Sequence, residues 1–240
     1  EKMLPIDYFL RSAKRFPKNI FLKDKDIDVT YEDAERKINS IAKSLQASKI
    51  SAGDSVAVYS RDSAVAVLCI FACLRAGAVW VPVNIRNSIK VNCDYLKYVD
   101  AQWVFFDSSV SDEIKILKTK LPRLKNTISI DKKNSNYESL EEFISKFEDH
   151  DFVEKSDPFS LSNNTFARWP TGGTTGPSKG VEITNLNIIT MYELGVKHYV
   201  GEDWSDVVHL TVAPITHAAG LLTGIFSCVG GTNIVSDGFN

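Results

Sequence analysis

The chain has 240 residues, with 28 Lys and Arg against 30 Asp and Glu (net charge −2), 44% hydrophobic and 24% charged residues. This is globular composition, which argues against a disordered or low-complexity chain. The near-neutral balance without charged tails argues against a nucleic-acid or anionic-membrane binder working through bulk positive charge. The length suffices for a sizeable core, as one large α/β domain or two small ones.

In chain order, Ile6, Phe9, Leu10, Ala13 and Phe16 recur at helical spacing and Pro17 stops the pattern. A second helix starts at the N-cap Thr30, with Glu32 and Asp33 in its first turn and Ala34, Ile38, Ile41, Ala42 and Leu45 as its buried stripe. After a turn at Gly53-Asp54, Val56–Tyr59 has the unbroken apolar character of a strand buried on both faces. A buried helix over Ser63–Arg75 ends at Gly77, and Ala78–Val83 is the next strand. The alternation continues with helices at about 88–98, 111–121 and 138–148, and with strands at Trp103–Phe106 and Ile128–Ile130. The polar stretch Glu154–Asn164, containing Asp157-Pro158, reads as a linker. Strands at Thr165–Trp169 and Val181–Thr184 flank a Gly/Thr loop. A helix at about 186–198 follows, then strands at Val207–Ala213 and Thr232–Ser236 around an apolar helix near 218–229. The expected fold class is α/β, with largely parallel sheets and helices on both faces.

Cys69, Cys73, Cys93 and Cys228 are too few and scattered for a disulfide framework or zinc site, so reduced, packed cysteines and a cytoplasmic location are expected. The opening residues Glu1–Asp7 lack the apolar stretch of a signal peptide. No Lys, Arg, Asp or Glu lies between Asp206 and Asp237, yet His209, Pro214, His217 and Gly230-Gly231 interrupt that segment. A spanning helix needs about 20 continuous apolar residues, so no membrane span is expected. Trp80, Trp103 and Trp169 are expected in the core, and the Lys-rich stretch Lys115–Lys125 on a solvated helix face.

Thr171-Gly172-Gly173-Thr174-Thr175-Gly176-Pro177-Ser178-Lys179-Gly180 holds most of the chemical information. Its glycines let the backbone turn tightly and approach a ligand, while hydroxyls, backbone N–H groups and the Lys179 ammonium suit a polyphosphate. A Walker A loop requires Gly before the Lys and Ser or Thr after it, and here Ser178 and Gly180 stand in those places. Nor does it fit G-x-G-x-x-G, because Thr171 replaces the first glycine. On composition alone, a solvent-exposed hairpin without ligand remains an alternative.

The order of residues in this loop resembles the phosphate-binding signature of the adenylate-forming (AMP-binding) superfamily, Thr-Ser-Gly-Thr-Thr-Gly-x-Pro-Lys-Gly-Val. Gly172 stands at the serine of that signature and offers a phosphate only its backbone N–H; Pro177-Ser178 replaces x-Pro. Four further stretches are similar to family motifs in the same order: Thr30–Ala34, Gly53–Val58, Leu74–Val83 and Ala213–Gly220. Together these cover the whole chain but only the first half of the family's length.

The resemblance implies a fold in two parts, residues 1–160 as a first α/β subdomain and 161–240 as the phosphate-loop segment and start of a second. It implies that Thr171, Gly172, Gly173, Thr174, Thr175, Gly176 and Lys179 contact the phosphates of ATP. It places His217 beside the pocket where an acyl group meets the α-phosphate, as a positioning or pocket residue. Asn185 stands where many members have a histidine. The implied chemistry is an acyl-CoA synthetase reaction with ATP, Mg²⁺, a small-molecule carboxylic acid and coenzyme A, most of the magnesium ligands lying outside this chain. The family's adenine-binding segment, ribose-binding aspartate and lid lysine are absent here, so the chain is expected to be an N-terminal fragment with little activity alone. Two alternatives stand beside this reading: an adenylation domain loading a carrier protein, and a non-catalytic module binding a nucleotide or another anion.

Overall fold

The computed structural model describes residues 3–131, 136–154, 165–171, 179–201, 204 and 206–236. Helix α1 (Pro5–Arg15) begins with Pro5 in its first turn, and the Asp7 carboxylate accepts the Leu4 N–H at 2.7 Å. Its Ile6, Phe9 and Ala13 are buried. Helix α2 (Tyr31–Ala47) is capped by Thr30, whose Oγ1 accepts the Asp33 N–H at 3.2 Å. In α3 (Ala64–Ala76), Ser63 Oγ accepts the Ala66 N–H at 3.1 Å, and Gly77 closes the helix at φ +79°. Ten of the α3 residues are buried, so this helix is interior on nearly every side.

The larger sheet has seven strands in the order β7-β6-β5-β3-β4-β8-β9. They are β3 (Ser55–Tyr59), β4 (Val79–Pro82), β5 (Ala101–Phe106), β6 (Asn126–Ser129), β7 (Glu138–Ser139), β8 (Thr165–Pro170) and β9 (Gly180–Thr184). All neighbouring pairs are parallel except the β8–β9 hairpin. Alternation along β3 shows why its sequence is apolar throughout. Val56 and Val58 join a cluster with α1, α2, α3 and α6 (Leu140–Ser145). Ala57 and Tyr59 point the other way, to Tyr95 and Leu96 of α4 (Ile89–Tyr98) and Ile114 and Leu117 of α5 (Ser111–Lys120). The α/β class expected from the alternation is the one observed.

A second sheet, β10-β11-β1-β2, joins distant parts of the chain: β1 (Ile20–Lys23), β2 (Asp28–Thr30), β10 (Val208–Thr211) and β11 (Thr232–Val235). Strand β1 runs parallel to β11, with Leu22 opposite Asn233. The buried Tyr31 hydroxyl donates to the Gly231 carbonyl at 2.7 Å beside this junction. Helices α7 (Asn185–Gly195) and α8 (Ala218–Ser227) meet at a glycine contact, where a Cβ on Gly224 would fall 2.0 Å from Tyr192 Oη.

Several elements differ from expectation. Strands β1, β2 and β7 were not expected, because each is four residues or fewer and too short to show a period. The helix expected at 138–148 is the six-residue α6, started by a Ser139–Glu142 capping box. Helix α7 stops at Gly195 and widens into a π-type turn at 196–200. Of the linker, only Glu154 is among the described residues, and Arg75 Nη1 holds its carboxylate at 2.8 Å. Trp80 and Trp103 are each 1% exposed, as expected of core residues, whereas Trp169 is only partly buried, its ring edge-on to Trp80 at 5.2 Å; Cys69 and Cys73 are buried free thiols. No described helix is long and apolar enough to cross a membrane.

Gly77 takes a left-handed conformation that costs an L-residue roughly 1–2 kcal/mol. Gly77→Ala is expected to lower the urea unfolding midpoint by a corresponding amount without changing the slope of the transition.

Candidate functional site

Because both faces of the large sheet are covered, polar groups able to meet a ligand are left at the strand ends, and in parallel sheets ligands sit at the carboxyl ends. Trp80 of β4 lies opposite Ala167 of β8. Asn84 follows β4 and Thr171 follows β8 just past their last residues, so both come out at the same end of the sheet.

Thr171 starts the Gly/Thr loop and Lys179 ends it, and the two clasp each other. The Thr171 N–H donates to the Lys179 carbonyl at 2.9 Å, and the Lys179 N–H donates to Thr171 Oγ1 at 3.2 Å. The threonine hydroxyl therefore closes the neck of the loop, and both residues are exposed to solvent. Gly172, Gly173, Thr174, Thr175 and Gly176 lie outside the described residues.

His217 is exposed and forms the N-cap of α8, its N–H donating to the Pro214 carbonyl at 2.9 Å. Its Nε2 lies 3.3 Å from Asn84 Nδ2. Asn84 Oδ1 accepts the Arg86 N–H at 2.9 Å, which turns the amide nitrogen toward the histidine. An amide nitrogen only donates, so the contact is a hydrogen bond when Nε2 accepts and the ring proton sits on Nδ1. Asp62 Oδ1 accepts the Ile215 N–H at 3.0 Å and moors the histidine segment to the end of β3. Gly220 is required here, since a Cβ would fall 1.9 Å from the Ile215 carbonyl oxygen.

Ser60, Arg61, Asn84, Arg86, Pro214 and Thr216 line a cleft of about 110 Å³ beside His217. Its Arg61 side is organised by Asp107, 4% exposed at the end of β5, which accepts the Arg61 N–H at 2.7 Å and the Ser109 N–H at 2.8 Å. Burial by itself would raise the Asp107 carboxyl. The Ser109 hydroxyl, the two backbone donors and the Arg61 charge outweigh it and hold the group below the ordinary carboxylate value.

The structure thus brings Thr171, Lys179 and His217 to one end of the sheet. Sequence reasoning missed Asn84, Arg61 and Asp107. The signal was available in part, since Asn84 and Asp107 are polar residues directly following apolar strands. His209, given no role from sequence, stacks on Phe226 at 4.5 Å and bonds Asn233 Oδ1 at 3.0 Å, a structural placement. Among the described residues no group of three or more His, Cys, Asp or Glu could hold a metal ion.

Gly220→Ala forces the turn before α8 to move, and the 3.3 Å His217–Asn84 contact should be lost; the His217 ring signals in an NMR spectrum would shift, with α8 retained. Asp107→Asn is expected to destabilise the fold by roughly 1–3 kcal/mol at neutral pH. The native carboxyl titrates below its ordinary value of 3.8, so its contribution is full above that pH and is lost as pH falls through the lower folded value. The stability gap between the two proteins should therefore narrow only in acid, as read by denaturant titration at several pH values.

The chain matches the family described as "AMP-binding enzyme" over residues 9–240. It is 27% identical over 243 residues to the medium-chain fatty-acid–CoA ligase of Escherichia coli K12, covering 97% of this chain and 42% of that one. It is also 27% identical over 201 residues to a hybrid PKS-NRPS synthetase of a Fusarium strain, covering 83% of this chain and 5% of the relative. Among solved structures, the anthranilate CoA ligase AuaEII in complex with anthranoyl-AMP superposes with a TM-score of 0.88 at 18% identity, over 99% of this chain and 46% of that one. The long-chain-fatty-acid–CoA ligase FadD1 of Archaeoglobus fulgidus gives 0.87 at 20% identity, over 100% of this chain and 48% of that one. The chain spans less than half the length of each of these proteins. Its fold is that of the N-terminal region of adenylate-forming enzymes, and the chain belongs to the AMP-binding enzyme family.

Proposed function

We propose that this chain is the N-terminal, phosphate-gripping part of an ATP-dependent carboxylic acid ligase of the acid–thiol class, and that it has little activity by itself. The observation supporting this reading is the clasped Thr171–Lys179 loop emerging at the same sheet end as His217. A carboxylate is a weak electrophile, and attachment of AMP supplies it with a good leaving group. In the proposed first step a carboxylate oxygen attacks the α-phosphorus of ATP, the bond to the β-phosphate bridging oxygen breaks, and pyrophosphate leaves. Residues Thr171–Gly176 would offer backbone N–H groups and hydroxyls to the β- and γ-phosphates, with Lys179 as a mobile cation that follows the charge onto the leaving group. Magnesium, if carried in by the nucleotide, would offset the negative charge of its phosphates. His217, fixed by Asn84, would orient the acid against the α-phosphate. In the second step the thiol of coenzyme A attacks the acyl carbon and releases AMP. A cytoplasmic location fits this reading and the buried free thiols of Cys69 and Cys73.

The match to a Fusarium hybrid synthetase supports a second reading, in which the acyl group passes to a carrier-protein thiol instead of coenzyme A.

Pyrophosphate release by the complete protein carrying this chain, with ATP and a panel of carboxylic acids, with and without coenzyme A, tests the proposal. Acid-dependent release is expected, and a thioester should form only when a thiol acceptor is present. Lys179→Ala should slow release by about tenfold or more through loss of a charge-assisted contact to the leaving phosphates. Acid-independent ATP cleavage, or an unchanged rate in the variant, would overturn it.

A further inference from the structure

Among the described residues β8 meets the rest of the sheet at the register pair Trp80–Ala167, and β9 is the sheet edge. A second attachment lies on the far side, at the amino ends of β3 and β5. The Tyr95 hydroxyl at the end of α4 donates to the Arg168 backbone carbonyl. The Arg168 guanidinium donates through Nη1 to the Gly53 carbonyl at 3.2 Å and to Ser55 Oγ, and through Nε to Glu182 Oε1 at 3.3 Å. Ser55 passes the connection on, its hydroxyl donating to the Val99 carbonyl at 2.6 Å. Val99 closes the circuit by contact, since a Cβ on Gly180 would fall 2.7 Å from Val99 Cγ1.

Arg168 and Glu182 face each other across the hairpin, two register pairs below the loop neck at Pro170 and Gly180. The network therefore grips both legs of the hairpin at one level and ties them to α4 and β3. We propose that Arg168 and Tyr95 are positioning residues for the phosphate loop, acting on nucleotide binding through Thr171 and Lys179 without touching the nucleotide. This deepens the adenylation reading and rests on it. The chemistry suits the task. A planar guanidinium can bond Gly53, Ser55 and Glu182 at once, whereas an ammonium at the end of a flexible stem cannot hold that fork. Burial pushes the Tyr95 hydroxyl well above its usual range, so it stays a donor at any working pH. Tyr95 is 2% exposed and Ser55 is 1% exposed, so the Tyr95–Arg168 and Arg168–Ser55 bonds are partly sheltered from competing water, whereas the Arg168 bonds to Gly53 and Glu182 lie at the surface.

The test uses Tyr95→Phe, Arg168→Met and Arg168→Lys in the complete protein. Tyr95→Phe and Arg168→Met should each raise KM for ATP by roughly five- to tenfold, the scale of one hydrogen bond to a sheltered partner, with KM for the acid held within about twofold. Arg168→Lys should recover part of the loss, because one donor remains for Gly53 or Ser55. Amide hydrogen exchange on the same complete protein supplies a readout that needs no turnover. Exchange at 179–184 should quicken in Tyr95→Phe while β3 and β5 stay protected. If KM for ATP and exchange at 179–184 are both unchanged in an active protein, the positioning role is overturned. If exchange quickens but no acid-dependent adenylation occurs in any variant or the parent, the brace stands as structure and the adenylation reading fails instead. A parallel rise in both KM values with loss of protection in β3 would also overturn it, since that marks general destabilisation.

Discussion

The rest of the molecule depends on the burial of one parallel sheet from both sides. Val56 and Val58 pack against one set of helices, and Ala57 and Tyr59 against another, so no face of β3 is available for chemistry. With the faces used for cohesion, polar groups that meet a ligand are forced to the strand ends and the loops that follow them. Asn84, Asp107 and Thr171 all lie just beyond the carboxyl ends of their strands. Thr171 and the Asn84–His217 pair come to the same sheet end because of register, not because they are close in sequence.

That arrangement separates two tasks along the chain. The mutual bonds of Thr171 and Lys179 fix the two ends of the Gly/Thr loop against each other. The histidine segment is instead held at several points, by Asp62, by Asn84 and by the close passage of Gly220 under the Ile215 carbonyl. Helices α7 and α8 follow these two segments and pack with so little space between them that Tyr192 and Gly224 are in direct contact. The two halves of the candidate site are thus backed by one helix pair.

Much of this was legible in the sequence where the periodic signal was long. Helix α2 shows its Ala34–Ile38–Ile41–Leu45 stripe, its threonine cap and its acidic first turn, and all three are present. Helix α3 and strands β3, β4 and β5 were visible as apolar runs between punctuating residues such as Ser63 and Gly77. Strands β1 and β2 were not, because Ile20-Phe21-Leu22 is too short to separate from a loop and its partner lies more than two hundred residues away. Of the site, the loop and His217 could be picked out by motif. The roles of Asn84, Arg168 and Tyr95 could not, since each arises from side chains that meet only after the sheet has formed. An arginine within a strand and a tyrosine within a helix carry no local mark of that meeting.

The pairing of β1 with β11 has a consequence for biosynthesis. Leu22 cannot meet Asn233 until more than two hundred further residues have been made. At ordinary translation speeds of about 5–20 residues per second, that delay is roughly 10–40 s. Throughout it β1, whose Phe21 and Leu22 are fully buried in the finished fold, has β2 on one side and an open edge on the side that β11 will fill. Such late closure makes the joining of β1 to β11 a slow stage and leaves the β1 edge open until β11 arrives.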